Sequence, residues 1–352
     1  MRSLIFSMVL WTAAPALANP APNMAPAPSW VRRLPVTIPT DTNSLPVRIL
    51  LFDQQADLTP GSVARFSEVA ATVQTAAGLG AGNVSLTWRP DGDTITVHAL
   101  TITRAGKTIE VLAKQNFTVI RRETNLEQAT LDGRLTASLL INGVEVGDII
   151  DLATTTASRD PTLAGHVEAE LAQWNGAIDH AHARLHWARG IPHQLRATPG
   201  LPAFGTTTDS TGSAIELSAD HVQPLVQPKG APARFLVGRV VEATDYKSFA
   251  DLGTLFTPLF ARAATIDSAG PLPTQIAAIR AASSNPAARA SAALELVESK
   301  IRYVALTMGD GGYAPATADA VAGLVANGTL PDYARAFGLA RFQQASERRA
   351  FA

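Results

Sequence analysis

In the segment RLTASLLIN, Leu135, Ala137, Leu139 and Ile141 recur at every second position. A period of two puts all four on one face of an extended strand, whereas a helix would repeat its apolar stripe every three or four residues. The same habit runs through much of the chain from residue 47. VRILLFDQQADL is rich in branched and aromatic residues, NVSLTW alternates Val84, Leu86 and Trp88 with polar neighbours, and NFTVIRRE and GDIIDLATTTA read as further strands. A turn at Pro90-Asp91-Gly92-Asp93 joins NVSLTW to the next strand as one hairpin, and Gly106 in TRAGKTIEVL turns a second, with Ile109 and Val111 on one face. Strands joined by short turns pair antiparallel.

Between 165 and 221 the pattern stays β-like but more polar. HVEAELAQW, IDHAHARLHW and AIELSAD are the strands there, interrupted by the Pro- and Gly-rich RGIPHQLRATPGLPAFG and by TTTDSTGS. Residues 47–242 are therefore expected to form one β-rich domain, a layered antiparallel sandwich. Two β lobes dividing near 160 are the alternative.

The character changes near 243. In YKSFADLGTLFTPLFARAATI, Phe249, Leu252, Leu255, Phe256 and Leu259 follow helical spacing, and Pro258 is expected to kink or divide that helix. LPTQIAAIRAASS predicts a second helix. A third should start with Asn285 as N-cap and Pro286 at the first helical position, presenting Ala290, Leu294, Val297 and Ile301 as one apolar stripe. A tail helix is expected from about Pro331 to Arg349. The fold class is thus α+β: a mainly β region, then helices over 243–352.

The first 22 residues, MRSLIFSMVLWTAAPALANPAP, combine Arg2, an apolar stretch from Leu4 to about Ala14 and the small-x-small pattern Ala16-Leu17-Ala18. This predicts a secretory signal over 1–18, cleaved after Ala18, and a periplasmic or extracellular address. The apolar run falls short of the ~20 residues that span a bilayer, and no later segment reaches that length. Residues 19–46, rich in Pro and Ala, should form an extended, unpacked leader, with order beginning near Trp30 or later. Export often brings disulfides, yet the chain has no cysteine, so its 46% hydrophobic residues must hold the fold unaided. With 17% charged residues and a formal net charge of -1, the chain has no global attraction for a phosphate backbone, which excludes nucleic acid as the expected partner.

Candidate chemistry is sparse. DHAHARLH places His180, His182 and His186 on one face of a strand, where neutral imidazoles could bind zinc or copper with Asp179 or a more distant carboxylate; three solvent-facing histidines are the simpler reading. The GKT at 106–108 lacks the earlier glycine of a phosphate loop, since Thr101 stands in its place. There is no G-x-S-x-G, and Glu168 with Glu170 reads as an exposed polar face rather than an acid–base pair. No catalytic residue and no cofactor site is expected.

Several phrases carry a family resemblance: RILLFDQQADL, then HALTITRAGKTIEVLAKQNFTVIRRETNLEQATLDGRLTASLLINGVEVGDIIDLATT, then YKSFADL and SKIRYVALTMGDGGYAPATADAV. They resemble a family of exported bacterial proteins in which a β-rich domain of unknown function precedes a transglutaminase-like, papain-like core. The resemblance spans roughly residues 47 to 321. In that family the glycine-rich loop leads to a Gly-Asp-Cys-Lys motif at a helix N-terminus, and a later His and Asp complete the triad. Here the sequence after Val321 reads AGLVANGTLPDYARAFGLARFQQASERRAFA, without cysteine. The resemblance therefore implies an incomplete core, truncated or divergent, and carries over no catalytic residue. It implies a catalytically silent protein that binds a peptide, protein or cell-envelope component. The alternatives are a fragment of a Cys-His-Asp enzyme and, third, a metal-dependent hydrolase using the histidine cluster.

Overall fold

The structure, a computed structural model, describes residues 21–121, 130–191, 193–230, 232, 238–300, 305–306 and 313–327. The signal segment, the glycine-rich loop at 307–312 and the proposed tail helix lie outside the described residues. In chain order the strands are β1 (Asn23–Met24), β2 (Val47–Thr59), β3 (Ser62–Val73), β4 (Asn83–Trp88), β5 (Asp93–Arg104), β6 (Lys107–Glu110), β7 (Thr118–Arg121), β8 (Thr130–Leu131) and β9 (Leu135–Leu140). They continue with β10 (Ile149–Ser158), β11 (Glu168–Leu171), β12 (Ile178–Ala188), β13 (Gln194–Ala197), β14 (Thr206–Thr208), β15 (Gly212–Val222), β16 (Val241–Thr244) and β17 (Ala305–Leu306). The helices are α1 (Phe249–Ala263), α2 (Leu272–Ala282), α3 (Pro286–Lys300) and α4 (Ala318–Asn327).

One large sheet runs in the order β1-β5-β10-β3-β2-β12-β15-β14, with β6 hairpinned onto β5. Its longest pairings are antiparallel, but β2 and β12 run parallel, so the sheet is mixed rather than purely antiparallel. Two three-stranded sheets, β4-β9-β7 and β11-β16-β13, complete the β region. Each sits over an apolar cluster. Leu100, Ile102 and Ile150 of the main sheet pack with Val84, Leu86, Trp88, Leu135, Ala137 and Leu139 of one small sheet. Ala183, Leu185, Trp187, Ile215 and Leu217 pack with Ala169, Leu171, Val241, Ala243 and the buried Trp174 at the other end. The layered, mainly β, α+β expectation therefore holds.

Several local expectations need correction. The turn after Trp88 forms, with the Asp93 N–H donating to the Arg89 carbonyl at 2.8 Å, yet β4 and β5 do not pair as a hairpin. Instead β4 pairs β9 and β5 pairs β10, because the Val84-Leu86-Trp88 face is needed to cover the core from the second layer. The second hairpin is as read: β5 and β6 pair through Arg104 and Lys107, with Ala105 and Gly106 both at positive φ, the backbone of a two-residue turn. Only Val111 enters the core, however, and Ile109 stays exposed. Strand β3 gave no clean period-two signal because both of its faces are occupied: Val63, Phe66, Ala70 and Val73 are buried, and so is Glu68. Helix α1 continues through Pro258 instead of dividing there, capped by a reciprocal Ser248–Asp251 box.

The Asn285 cap is present, its Oδ1 accepting from the Ala287 N–H at 2.9 Å. The stripe it was expected to introduce is not buried among the described residues, with Leu294 58% and Val297 48% exposed. This contrast is measurable. Leu185→Ala and Leu100→Ala should each cost roughly 2–5 kcal/mol in chemical denaturation, and Leu294→Ala less than about 0.5 kcal/mol. A large penalty at Leu294 would mean that the α3 face is covered.

Candidate functional site

The two small sheets cover one face of the main sheet. The opposite face is built from a lattice of polar side chains. Strand register sets Thr155, Phe66, Gln55, Arg184 and Glu216 in one row across β10, β3, β2, β12 and β15. The next row holds Ala153, Glu68, Asp53, His182 and Ser218. Asp53, Gln55, Glu68 and His182 are almost fully buried, which for ionisable side chains requires partners in place of water.

The three histidines do share one face, as their spacing requires, but they do not converge on a point. Each contacts the aspartate directly opposite it on a neighbouring strand: His180 with Asp220 at 2.6 Å, His182 with Asp53 at 2.7 Å and His186 with Asp57 at 2.5 Å. His180 and His186 stand six positions apart on an extended strand, about 20 Å, far beyond a shared coordination shell. Among the described residues no group of three or more His, Cys, Asp or Glu side chains is placed to hold a metal ion. Nor are the three simply solvent-facing. His182 is 1% exposed, and its Nε2 reaches Glu216 Oε1 at 3.1 Å while its Nδ1 serves Asp53. Both ring nitrogens thus donate to oxygens that only accept, the signature of an imidazolium. Burial alone would pull its pKa down, but the bonds and charges of Asp53 and Glu216 outweigh burial and raise it.

What covers the lattice is the leader, which is packed, not loose. Strand β1 adds to β5, and the Ala25 carbonyl accepts from His98 Nδ1 at 2.8 Å; the other nitrogen of that ring meets Thr155 Oγ1 at 2.7 Å. A turn closes from the Val31 N–H to the Pro28 carbonyl, and the Trp30 carbonyl takes a hydrogen bond from Arg184 at 3.1 Å. Gln55 then grips the backbone of Arg32 on both sides, accepting from its N–H at 3.0 Å and donating to its carbonyl at 2.7 Å. The Arg32 guanidinium pairs with Glu216 at 3.0 Å. That of Arg33 bonds Glu68 and lies 3.7 Å from Asp151. Farther along, Arg48 holds the Asp41 carboxylate and Asp179 together. These contacts are made by side chains reaching from the sheet, a mode that composition cannot signal; the available clues were Arg32-Arg33 in a Pro/Ala leader and polar Asp53 and Gln55 inside an apolar strand.

Glu68 and Asp151 form a carboxyl pair beneath Arg33. Burial first, then the charge of Asp151, push Glu68 up to about 7 despite Arg33. Burial likewise raises Asp151, opposed by Arg33 and by a hydrogen bond from Glu68. One oxygen of each, Glu68 Oε2 and Asp151 Oδ1, is buried and otherwise unpartnered among the described residues. A proton held on Glu68 supplies the donor this arrangement lacks.

The comparisons follow the same outline. A family model described as a domain of unknown function, DUF3857, matches residues 59–225, from the end of β2 to just beyond β15. A crystal structure from Parabacteroides distasonis, of a protein designated a candidate protease, superposes with a TM-score of 0.59 at 13% identity. It is matched over 87% of this chain, and the chain spans 59% of that protein's length. No curated protein matches. The match falls within the β-rich domain of unknown function expected from the sequence, and the structural likeness is one of fold.

The pH dependence of this face has a defined sign. Glu68, Asp151 and His182 all hold protons more tightly folded than unfolded, so the stability they contribute is complete at low pH and is lost as pH rises. For Glu68 the loss runs from 4.5 to about 7, and for His182 it begins at 6.5 and ends above that value. Asp148, held low by Arg104, works in the opposite direction and only in acid. Thermal unfolding should therefore show stability falling between about pH 5 and pH 8, and Glu68→Gln should be more stable than wild type by on the order of 2 kcal/mol at the upper end only. An unchanged pH slope in that variant would remove Glu68 as the source.

Proposed function

We propose that this chain is a non-catalytic binding or scaffold protein of the exported transglutaminase-like family, acting outside the cytoplasm on a peptide, protein or cell-envelope component. The observation that carries the reading is His182 fixed between Asp53 and Glu216. A general base needs a free imidazole lone pair beside a hydroxyl or thiol, whereas this ring spends both nitrogens on carboxylates. The polar lattice is thereby a recognition surface, its charges met partly by His182 within the sheet and partly by Arg32 and Arg33 of the leader. The DUF3857 match and the fold shared with the candidate protease support the family, and the Arg2 to Ala18 segment supports export.

A second reading draws on the partial coverage of the Parabacteroides distasonis protein: these residues are the front part of a longer thiol enzyme. The two readings separate experimentally. The purified chain should incorporate no amine into a protein acceptor and cleave no peptide, while an envelope extract passed over it should yield a recurrent partner that a Glu216→Ala variant retains less well. Turnover above background, or no recurrent partner, overturns the binding reading. For the second, the coding sequence beyond codon 321 should encode a Gly-Asp-Cys-Lys segment in some frame, and its absence defeats it. Sequencing the exported protein should give Asn19 as the first residue; a retained Met1 would refute cleavage.

A further inference from the structure

The leader is bound to the sheet in the manner of a ligand. Its ladder is only the two residues of β1, and beyond them it is held by polar groups from six strands of the sheet, β5, β10, β3, β2, β12 and β15. Gln55 clamps one peptide unit on both sides, as an amide side chain does when it reads an extended backbone irrespective of sequence. Arg184 takes the carbonyl two residues earlier. Two acidic places then read adjacent side chains: Glu216 takes the first arginine, and the Glu68–Asp151 pair takes the second. A backbone clamp beside two acidic subsites is a built receptor for an extended peptide, and its charge matches adjacent arginines. The segment from Pro35 to Pro46, with three prolines, joins the occupant to β2 without joining the sheet itself.

We propose that this face is a binding site for extended peptides carrying adjacent arginines, and that residues 28–33 occupy it in cis as an internal competitor. The site deepens the binding reading above and rests on it, but the two can fail separately. An external peptide must displace a tethered segment, so its affinity is reduced by the fraction of time the site is filled. Loosening the tethered segment therefore exposes the site.

The test uses the full chain and a fluorescent synthetic peptide of residues 28–34, followed by anisotropy. The double variant Arg32→Ala/Arg33→Ala should bind it at least about tenfold more tightly than wild type, since the competitor is weakened while the receptor is intact. A peptide with both arginines replaced by alanine should not bind, and adding Gln55→Ala to the double variant should abolish binding. Equal affinity for wild type and double variant, or equal binding of the alanine peptide, overturns the proposal. Should the double variant not fold, wild type decides: excess peptide must speed hydrogen exchange of residues 29–33 while leaving β12 unchanged, and no change refutes the site. If the peptide fails while an envelope partner is still captured, the sheet-face site falls and the binding reading stands.

Discussion

A buried carboxyl must replace its lost water with a cation, a proton or a hydrogen-bond donor, and Glu68 draws on Arg33 and a proton together. The polar half of the main sheet depends on that arrangement. Glu68 stands beside Asp53, whose charge adds to the rise of Glu68, Asp53 pairs with His182, and His182 reaches Glu216, so one imidazolium lies among three carboxyls across β3, β2, β12 and β15. Removing His182 would leave the Asp53 carboxylate buried without its cation, which is costlier than the interaction is favourable. The arginines that close the lattice come from outside the sheet, so the leader belongs to the domain energetically although it scarcely joins the ladder.

The asymmetry of the two faces explains why the sequence was readable in parts. Strand β4 buries one face against the core and exposes the other, β9 does so except at the buried Thr136, and there the alternation of Val84-Leu86-Trp88 and of Leu135-Ala137-Leu139 located both strand and core. Strand β3 lies between an apolar layer and the polar lattice, so both faces are partly buried and the alternation disappears. The Asn285 cap follows from local backbone chemistry and was legible, while the equally local Ser248–Asp251 box at the start of α1 was not read. Leader packing, by contrast, rests on contacts between residues 23 and 184 positions apart, and no local window contains them.

The histidines illustrate the same limit at the site. Their common face followed from the strand period alone, but not what each ring meets, because Asp53, Asp57 and Asp220 come from other strands. A cluster by sequence proved to be three separate cross-strand pairs. Conversely, the carboxyl pair with the most perturbed chemistry, Glu68 and Asp151, lies 83 positions apart and had no sequence signal beyond two acids in apolar strands.

The parallel contact between β2 and β12 sets an order of events during synthesis. Asp53 and His182 are 129 positions apart, so the central strand waits for most of the β region to emerge before its second neighbour exists. Parallel pairing over such distances is slow to close. Residues 28–33 leave the ribosome before every strand that grips them, and Arg184 and Glu216 arrive last. Through that interval the adjacent arginines are the part of the face already made, accessible to chaperones or to a neighbouring nascent chain, and the closing of β12 and β15 ends that exposure.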